Sequence, residues 1–359
     1  MLLSEKLYYF AHGLCCMFFL LAGVYLLRDR NTSRLRNVLG GVVLFWFILE
    51  AKDLLLYSSF IDRDSYFSTL LIMVDMWAVP ACSFYLFELL SPGWINWKKV
   101  FMLEAFFIVC TLGYAITASV VWSWLIEGYA VLYSFVVIVI LYFAVKRYNK
   151  YVHENYSYME HLNVRWLRQV TFLMFICLSV WMYSCLYSSW NADSIYYFSS
   201  LLLWACILYY SESQETVPIT GNIVVRNLFS DGLAEKKEEF ILNGNLALAL
   251  QKALEEDELF LNPKLTLTDL ATAIGTNRTY LSSYLNTCLN VSFYDYINSY
   301  RMEKMRRILS DTTCAITMNE VAEMCGFNSL STFRRTFVKE HGMTFSEYRK
   351  KSSESASKA

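Results

Sequence analysis

The fold of the carboxyl-terminal part is decided by a stretch that occurs twice: residues 265–275 read LTLTDLATAIG, and residues 316–326 read ITMNEVAEMCG. The matched positions are all offset by 51 residues, which indicates an internal repeat. Each copy contains a Thr followed three residues later by an acid, a pattern typical of the capping box that begins a helix. Each copy ends in Gly, which adopts the left-handed conformation that closes a helix at little cost. The repeat therefore predicts two short helices of the same kind.

A second helix is predicted behind each copy. Asn277 and Ser329 are polar residues of the kind that caps a helix start. The apolar positions that follow at helical spacing are expected to be buried; they are Leu281 and Leu285 after the first copy, and Phe333 and Phe337 after the second. Each copy and its second helix together form a helix-turn-helix unit.

The segment between the two units is predicted to be one helix over Ser292–Ser310. Apolar residues recur along one face of it, at Phe293, Ile297, Tyr300, Met305 and Ile308. A helix of this length spans about 28 Å at about 1.5 Å per residue. That length approaches the roughly 34 Å between successive major grooves on one face of DNA. One chain can thus place the second helices of both units in neighbouring grooves.

The second unit carries the most specific run of residues in the chain. Residues 326–337 read GFNSLSTFRRTF, and Gly342, Tyr348 and Arg349 follow. This composite resembles the signature of the AraC family of bacterial transcription regulators. The resemblance covers about residues 246–350.

The connecting helix also resembles that family, at Tyr296, Ile297 and Arg301. The sequence departs from the family pattern at two positions, with Phe345 where the family usually has Pro and Asn290 where it usually has Gly. Asn tolerates the left-handed conformation. Neither departure alters the expected fold.

The resemblance implies that the chain reads the bases of double-stranded promoter DNA through the second helices of both units. The residues implied are Arg278, Thr279, Ser282 and Ser283 in the first unit, and Leu330, Ser331, Arg334 and Arg335 in the second. Arginine can pair with guanine through two hydrogen bonds, and short hydroxyls bond either base type. The alternative is that some of these residues only form solvated helix faces. RNA polymerase and a second copy of the chain are further candidate partners.

Hydropathy and charge divide the chain into parts. The chain is 56% hydrophobic, and its apolar residues are concentrated before Tyr210. Ten acidic and four basic residues in 211–260 give a net charge of about −6, whereas thirteen basic and nine acidic residues in 261–359 give about +4. The predicted division is a transmembrane domain at 1–210, an acidic and partly flexible connector at 211–245, a DNA-binding domain at 246–350 and a disordered tail at 351–359.

The amino-terminal part contains seven apolar runs, and a membrane span needs about 20 predominantly apolar residues. The runs are Leu7–Leu27, Val38–Tyr57, Tyr66–Leu90, Val100–Ser119, Val121–Val145, Trp166–Ser188 and Ser194–Tyr210. A cleaved signal peptide is the alternative for the first run, but that run is too long for a signal core and lacks a small-x-small site. The predicted fold is therefore all-α: a seven-helix transmembrane bundle followed by an all-helical, double helix-turn-helix DNA-binding domain.

Basic residues alternate along the connections between the spans. The first, third and fifth connections hold them: Arg28, Arg30, Arg34, Arg36; Lys98, Lys99; and Lys146, Arg147, Lys150, Arg165. The second connection has only Arg63 between two aspartates, and the fourth and sixth have none. The positive-inside rule then predicts an amino terminus outside and a carboxyl terminus in the cytoplasm. The chain is accordingly expected in the bacterial inner membrane, with its DNA-binding domain in the cytoplasm.

Charged residues inside the predicted spans are costly, so they are candidates for function. Glu50 and Asp53 share one face of the second span, and Asp75 lies at a similar depth in the third. We expect these acids to line an outward-facing pocket that meets a cationic or hydroxyl-bearing ligand. The alternative is that Lys52 neutralises an acid and that the others hydrogen-bond within the bundle.

The sequence favours a one-component transcription regulator that responds to a small-molecule or membrane signal from outside. A bundle that serves only as a membrane anchor is the first alternative, and a transporter or intramembrane enzyme with an accessory DNA-binding tail is the second. No HExxH or GxSxG motif is present. The ten cysteines show no CxxC spacing, and histidines are few. We therefore predict no enzyme activity, no catalytic residues, no cofactor and no metal site.

Overall fold

The structure is a computed structural model, and it describes residues 3–28, 33–56, 66–187, 189–215, 217, 244–311 and 316–356. The regular secondary structure of the described residues is helical, apart from one isolated bridge between Tyr156 and Thr266. The all-α fold class is thus confirmed for this part of the chain. The chain divides into two compact units: Met1–Tyr148 with Val164–Asp231, and Asn149–Asn163 with Gly232–Ala359.

The first unit, here called the bundle, is built from eight described helices. They are α1 (Leu3–Leu27), α2 (Arg34–Leu56), α3 (Tyr66–Asp75), α4 (Ala78–Leu90), α5 (Trp97–Thr117), α6 (Val121–Asn155), α7 (Trp166–Tyr187) and α8 (Trp190–Glu212). α1 packs against α2 and α8, α7 packs against α8, and α2 packs against α4. The end of α6, from Asn149, belongs to the second unit.

Six helices among the described residues are long and apolar enough to cross a membrane, and the sequence predicts seven. They are Leu3–Leu27, Tyr66–Leu90, Trp97–Thr117, Val121–Asn155, Trp166–Ser184 and Trp190–Glu212. The predicted span at Val38–Tyr57 corresponds to α2, which is 23 residues long but is not among the six. Its apolar run is interrupted by Glu50, Lys52 and Asp53, which lower its hydropathy.

The predicted third span is two helices with a break between them. α3 ends at Asp75 and α4 begins at Ala78. Pro80 explains the break, because proline has no N–H to donate to the carbonyl four residues earlier and its ring clashes with that carbonyl. Two short-range bonds replace the regular pattern there, from Trp77 N to Val74 O and from Val79 N to Met76 O. Asp75 is thereby placed at a helix end.

The second unit contains seven α-helices from Gly244 onward and two π-helical extensions. They are α9 (Gly244–Gln251), extended by Lys252–Glu256; α10 (Leu267–Ala273); α11 (Arg278–Ser283), extended by Tyr284–Cys288; α12 (Phe293–Asp311); α13 (Met318–Met324); α14 (Leu330–His341); and α15 (Phe345–Ala356). A 3₁₀ turn lies at Leu259–Leu261. α15 runs six residues into the segment predicted as a disordered tail. Most of the predicted connector, 211–245, lies outside the described residues.

The repeated stretch forms the local structure that its sequence predicts. The side chain of Thr266 accepts a hydrogen bond from Asp269 N, and the carboxylate of Asp269 accepts one from Thr266 N, each at about 3 Å. Thr317 and Glu320 form the same capping box 51 residues later. Both α10 and α13 therefore begin where the sequence places them.

The second helices of both units are also capped and backed as predicted. Asn277 Oδ1 accepts from Tyr280 N at 2.7 Å, and Ser329 Oγ accepts from Thr332 N at 3.2 Å. The four predicted core positions are fully buried: Leu281, Leu285, Phe333 and Phe337. These residues hold α11 and α14 against their own units.

The connecting helix, α12, belongs to both hydrophobic cores. Phe293 and Ile297, near its start, pack with the residues of α10 and α11. Met302 and Met305, further along, pack with those of α13 and α14. One rigid helix therefore links the two helix-turn-helix units.

The two repeat glycines differ in their surroundings, although both have a positive φ: 71° at Gly275 and 77° at Gly326. A Cβ added at Gly275 would meet no atom within 4 Å. A Cβ added at Gly326 would lie 2.5 Å from Leu261 Cα and 2.6 Å from Leu261 O. Only the second glycine is needed for a close approach between two backbones.

We predict that Gly326→Ala destabilises the second helix-turn-helix unit by more than Gly275→Ala destabilises the first. The left-handed conformation alone costs a non-glycine residue about 1–2 kcal/mol, and Gly326→Ala adds a backbone clash, for a total of roughly 3 kcal/mol or more. Hydrogen exchange of the full chain in nanodiscs, followed at peptides from α10 and α11 and from α13 and α14, measures the difference. Equal exchange in the two variants would contradict it.

Candidate functional sites

The exposed face of α14 forms a shallow groove. It is lined by Leu330, Ser331, Arg334, Arg335 and Val338. The opposite face carries Phe333 and Phe337 in the core, so the groove lies on the outer side of a well-anchored helix. The structure thus brings the four residues predicted in the second helix-turn-helix unit onto one surface. Ser331 and both arginines are exposed there.

The four residues predicted in the first helix-turn-helix unit lie on the shorter helix α11. Thr279 is exposed, whereas Ser282, Ser283 and Arg278 are half-buried. Ser282 Oγ accepts a hydrogen bond from Asn286 Nδ2 at 3.3 Å. Arg278 Nε donates to Asn155 Oδ1 at 2.7 Å. The partner of Arg278 is therefore more than a hundred residues away in sequence.

Residues 149–163, here called the strap, form part of the second unit although they connect α6 and α7 of the bundle. Ser157, at the centre of the strap, is fully buried and donates its N–H to Leu265 O at 3.1 Å. The sequence places the strap in a connection between two spans and assigns it no role. The one sequence feature that could have indicated a role is the length of this connection, because the apolar runs on either side of it are about 20 residues apart.

Arg301 of α12 holds the strap to the rest of the unit. Its side chain is fully buried, and its guanidinium donates to Ser157 O at 2.9 Å and to Ser157 Oγ at 3.1 Å. The same group donates to Phe260 O and Asn262 O at 2.9 and 2.8 Å. Burial lowers the pKa of Arg301 to about 10, so the side chain remains charged at neutral pH.

The strap also touches the start of α14. Ser329 Oγ donates to Glu160 Oε1 at 2.5 Å, and Asn328 Nδ2 lies 3.4 Å from Glu160 Oε2. Both donors precede the groove residues directly in sequence. The sequence gives no sign of this contact, because Glu160 stands in no motif.

The bundle contains a cavity of about 270 Å³, and Glu50, Asp53 and Asp75 are among its lining residues. The structure therefore brings together the three acids predicted to form a pocket. Lys52 Nζ lies 2.8 Å from Asp75 Oδ1 and also pairs with Asp53. The carboxylate of Glu50 lies 3.4 Å from His12 Nε2. Pairing within the bundle, the alternative interpretation, is thus also present.

Two other acids of the bundle lie away from the cavity. Glu88 is buried and accepts hydrogen bonds from Arg34 Nε, Gly93 N and Ile95 N at 2.7–2.9 Å. This carboxylate therefore fixes the connection between α4 and α5. Glu127 of α6 is exposed.

Comparison with known proteins bears on the second unit. Residues 270–351 match a family model described as a helix-turn-helix domain. The second unit contains an AraC-type helix-turn-helix domain. All eight predicted base-reading residues lie in the matched segment, and the strap lies outside it.

Curated relatives share only part of their length with this chain. It is 34% identical over 82 residues to the xylose operon regulatory protein and over 86 residues to the melibiose operon regulatory protein, both of Escherichia coli K12. It is 27% identical over 141 residues to the HTH-type transcriptional regulator YisR of Bacillus subtilis strain 168. These matches cover 23%, 24% and 39% of this chain, and 20%, 28% and 47% of the relatives. No solved structure matches the chain.

Proposed function

We propose that the protein is a transcription regulator that binds specific promoter DNA through both helix-turn-helix units. The observation that carries the proposal is the shared helix α12, which packs into both cores and so fixes two exposed second helices in one frame. Its 19 residues span about 28 Å, which suits neighbouring major grooves. The likeness to two operon regulatory proteins supports transcription control.

We assign base reading chiefly to Arg334 and Arg335, because they are exposed on the outer face of α14. Arginine side chains there can form two hydrogen bonds to guanine in the major groove. Ser331 on α14 and Thr279 on α11 are exposed as well, and Leu330 is half-buried at the start of α14. Arg278 and Ser282 contribute once their hydrogen bonds with Asn155 and Asn286 are broken. Ser283 stays a predicted base-reading residue. RNA polymerase and a second copy of the chain stay predicted partners.

We predict that Arg334→Ala/Arg335→Ala lowers affinity for specific DNA by about 100-fold or more, since each lost arginine–base contact costs about 1–3 kcal/mol. The probe is a duplex enriched from a random library on the full chain in nanodiscs, and affinity is measured by fluorescence anisotropy at fixed salt. Arg307→Ala is the matched control, because Arg307 is an exposed arginine of α12 that pairs with Glu303. Equal losses in the two variants would contradict base reading by α14.

We further propose that the bundle spans the inner membrane seven times, with α2 as the seventh crossing helix. At 23 residues α2 is about 34 Å long, enough for a hydrocarbon core of about 30 Å. Its charged residues pair inside the bundle, with His12 and Asp75 among the partners, and such pairing is how membrane proteins tolerate charge. Together with the alternating basic connections, seven crossings put the DNA-binding domain in the cytoplasm.

We predict that a membrane-impermeant maleimide labels Ser59→Cys but not Ser33→Cys in intact spheroplasts. Ser33 lies in the basic first connection and Ser59 in the second, so one crossing by α2 separates them. Mass shift of the purified chain reports the labelling, and lysed spheroplasts serve as the accessible control for both variants. Labelling of both positions, or of neither, in intact spheroplasts would show that α2 does not cross.

We also propose that the cavity receives a signal, and that Glu50, Asp53 and Asp75 contact it. A cavity of about 270 Å³ has room for a small molecule. Its acids favour a ligand with a cationic or hydroxyl group, which can compete with Lys52 for Asp53 and Asp75. A passive anchor remains the alternative function of the bundle, and it requires no cavity.

We predict that Asp75→Asn and Glu50→Gln shift the concentration of an organic amine or polyol that changes reporter output, by about tenfold for each lost charged contact. The reporter is the promoter occupied by the tagged full chain. Glu127→Gln is the control, because it removes an acid of the bundle that does not line the cavity. Responses equal to the wild type in both cavity variants would remove this site.

A further inference from the structure

The strap contacts the starts of both second helices at once. Asn155 Oδ1 accepts from Arg278, the first residue of α11, and Glu160 Oε1 accepts from Ser329, the cap of α14. Asn155 is buried and is itself fixed by a hydrogen bond from its Nδ2 to Tyr151 O at 2.7 Å. A single segment of 15 residues thus occupies the two ends of the units that face DNA in the proposed function.

The contact at α14 has the chemistry of a bound phosphate. The amino terminus of a helix favours an anion, because its first N–H groups have no partner in the helix and its dipole is positive there. Proteins use such ends to hold the phosphates of DNA. In this structure the carboxylate of Glu160 lies at that end of α14, where the side chains of Ser329 and Asn328 contact it. A carboxylate at this end of the helix repels a phosphate.

The contact at α11 restrains an arginine that the family resemblance assigns to base reading. Arg278 uses its Nε–H on Asn155, and its guanidinium carbon lies 5.5 Å from the centre of the Tyr151 ring. The planar guanidinium is therefore oriented by the strap. Arg278 can meet a base edge or a phosphate with this N–H only after the bond to Asn155 is broken.

The centre of the strap is held independently of these two contacts, because Ser157 is bound by Arg301 and Leu265. Asn155 lies two residues before Ser157 and Glu160 three residues after it. The strap also joins α6 to α7, and both helices line the cavity, at Tyr133 and Thr171 for example.

We propose that the strap is a built-in competitor of DNA: Glu160 and Asn155 hold the starts of α14 and α11, and specific binding requires their release. This inference rests on the proposed function of the second unit. A ligand in the cavity that shifts α6 or α7 would change the strap directly through the chain. The DNA-free state, in which the strap contacts α11 and α14, is accordingly the state that binds DNA weakly.

The test is Glu160→Gln in the full chain in nanodiscs, measured with the same enriched duplex at fixed salt. Loss of the charged contact is expected to raise affinity by about five- to tenfold. Glu154→Gln is the matched control, because it removes the same charge from the strap at a residue that pairs with Lys150. Its affinity should stay within about twofold of the wild type. Asn155→Ala is expected to act in the same direction as Glu160→Gln.

Three results would overturn the proposal: equal affinity in Glu160→Gln and Glu154→Gln, weaker binding in Glu160→Gln, or equal hydrogen exchange at residues 329–333 in the two variants. The exchange measurement needs no DNA, and the proposal expects faster exchange in Glu160→Gln. Absence of DNA binding in the wild type and all variants, with faster exchange in Glu160→Gln, would instead reject the proposed function while keeping the contact.

Discussion

The second compact unit is held together by one buried charge. Arg301 is fully inside the protein, where an ionised group is stable only if its donors are all engaged. Its guanidinium meets that requirement with main-chain oxygens from the 3₁₀ turn region and from the strap, together with Asn298 of its own helix. Since Arg301 lies on α12, the helix common to both cores, one side chain ties together three segments that are distant in sequence. A lysine has no planar fork with which to do this.

Local features of this fold are predictable from the sequence, because their causes lie within a few residues of one another. Thr266 with Asp269, and Thr317 with Glu320, form capping boxes through bonds three residues apart. The positive φ of the two glycines that close these helices is a local property as well. The groove residues of α14 follow from the same logic, since Phe333 and Phe337 fix which face of the helix is outside.

The features that the sequence does not predict are produced by distant contacts. Arg278 and Asn155 are 123 residues apart, and Glu160 and Ser329 are 169 apart. The resemblance identifies Arg301 by position, but only the fold shows that Ser157 receives its hydrogen bonds. In the bundle, hydropathy gives most helix ends to within a few residues, but α6 runs ten residues past its predicted end at Val145. Hydropathy also cannot show that Lys52 lies between Asp53 and Asp75. Such pairing distinguishes a charged helix inside a bundle from a charged helix at the surface.

The strap makes the second compact unit discontinuous along the chain, because 149–163 and the described residues from Gly244 onward belong to one unit while α7 and α8 between them belong to the other. Gene fusion usually moves a domain as one uninterrupted stretch of sequence. Here such an exchange would leave Ser157 behind and strand the guanidinium of Arg301 without two of its acceptors. A fusion that keeps this unit intact must therefore carry the strap together with α7 and α8, which lie between the strap and α9 in sequence.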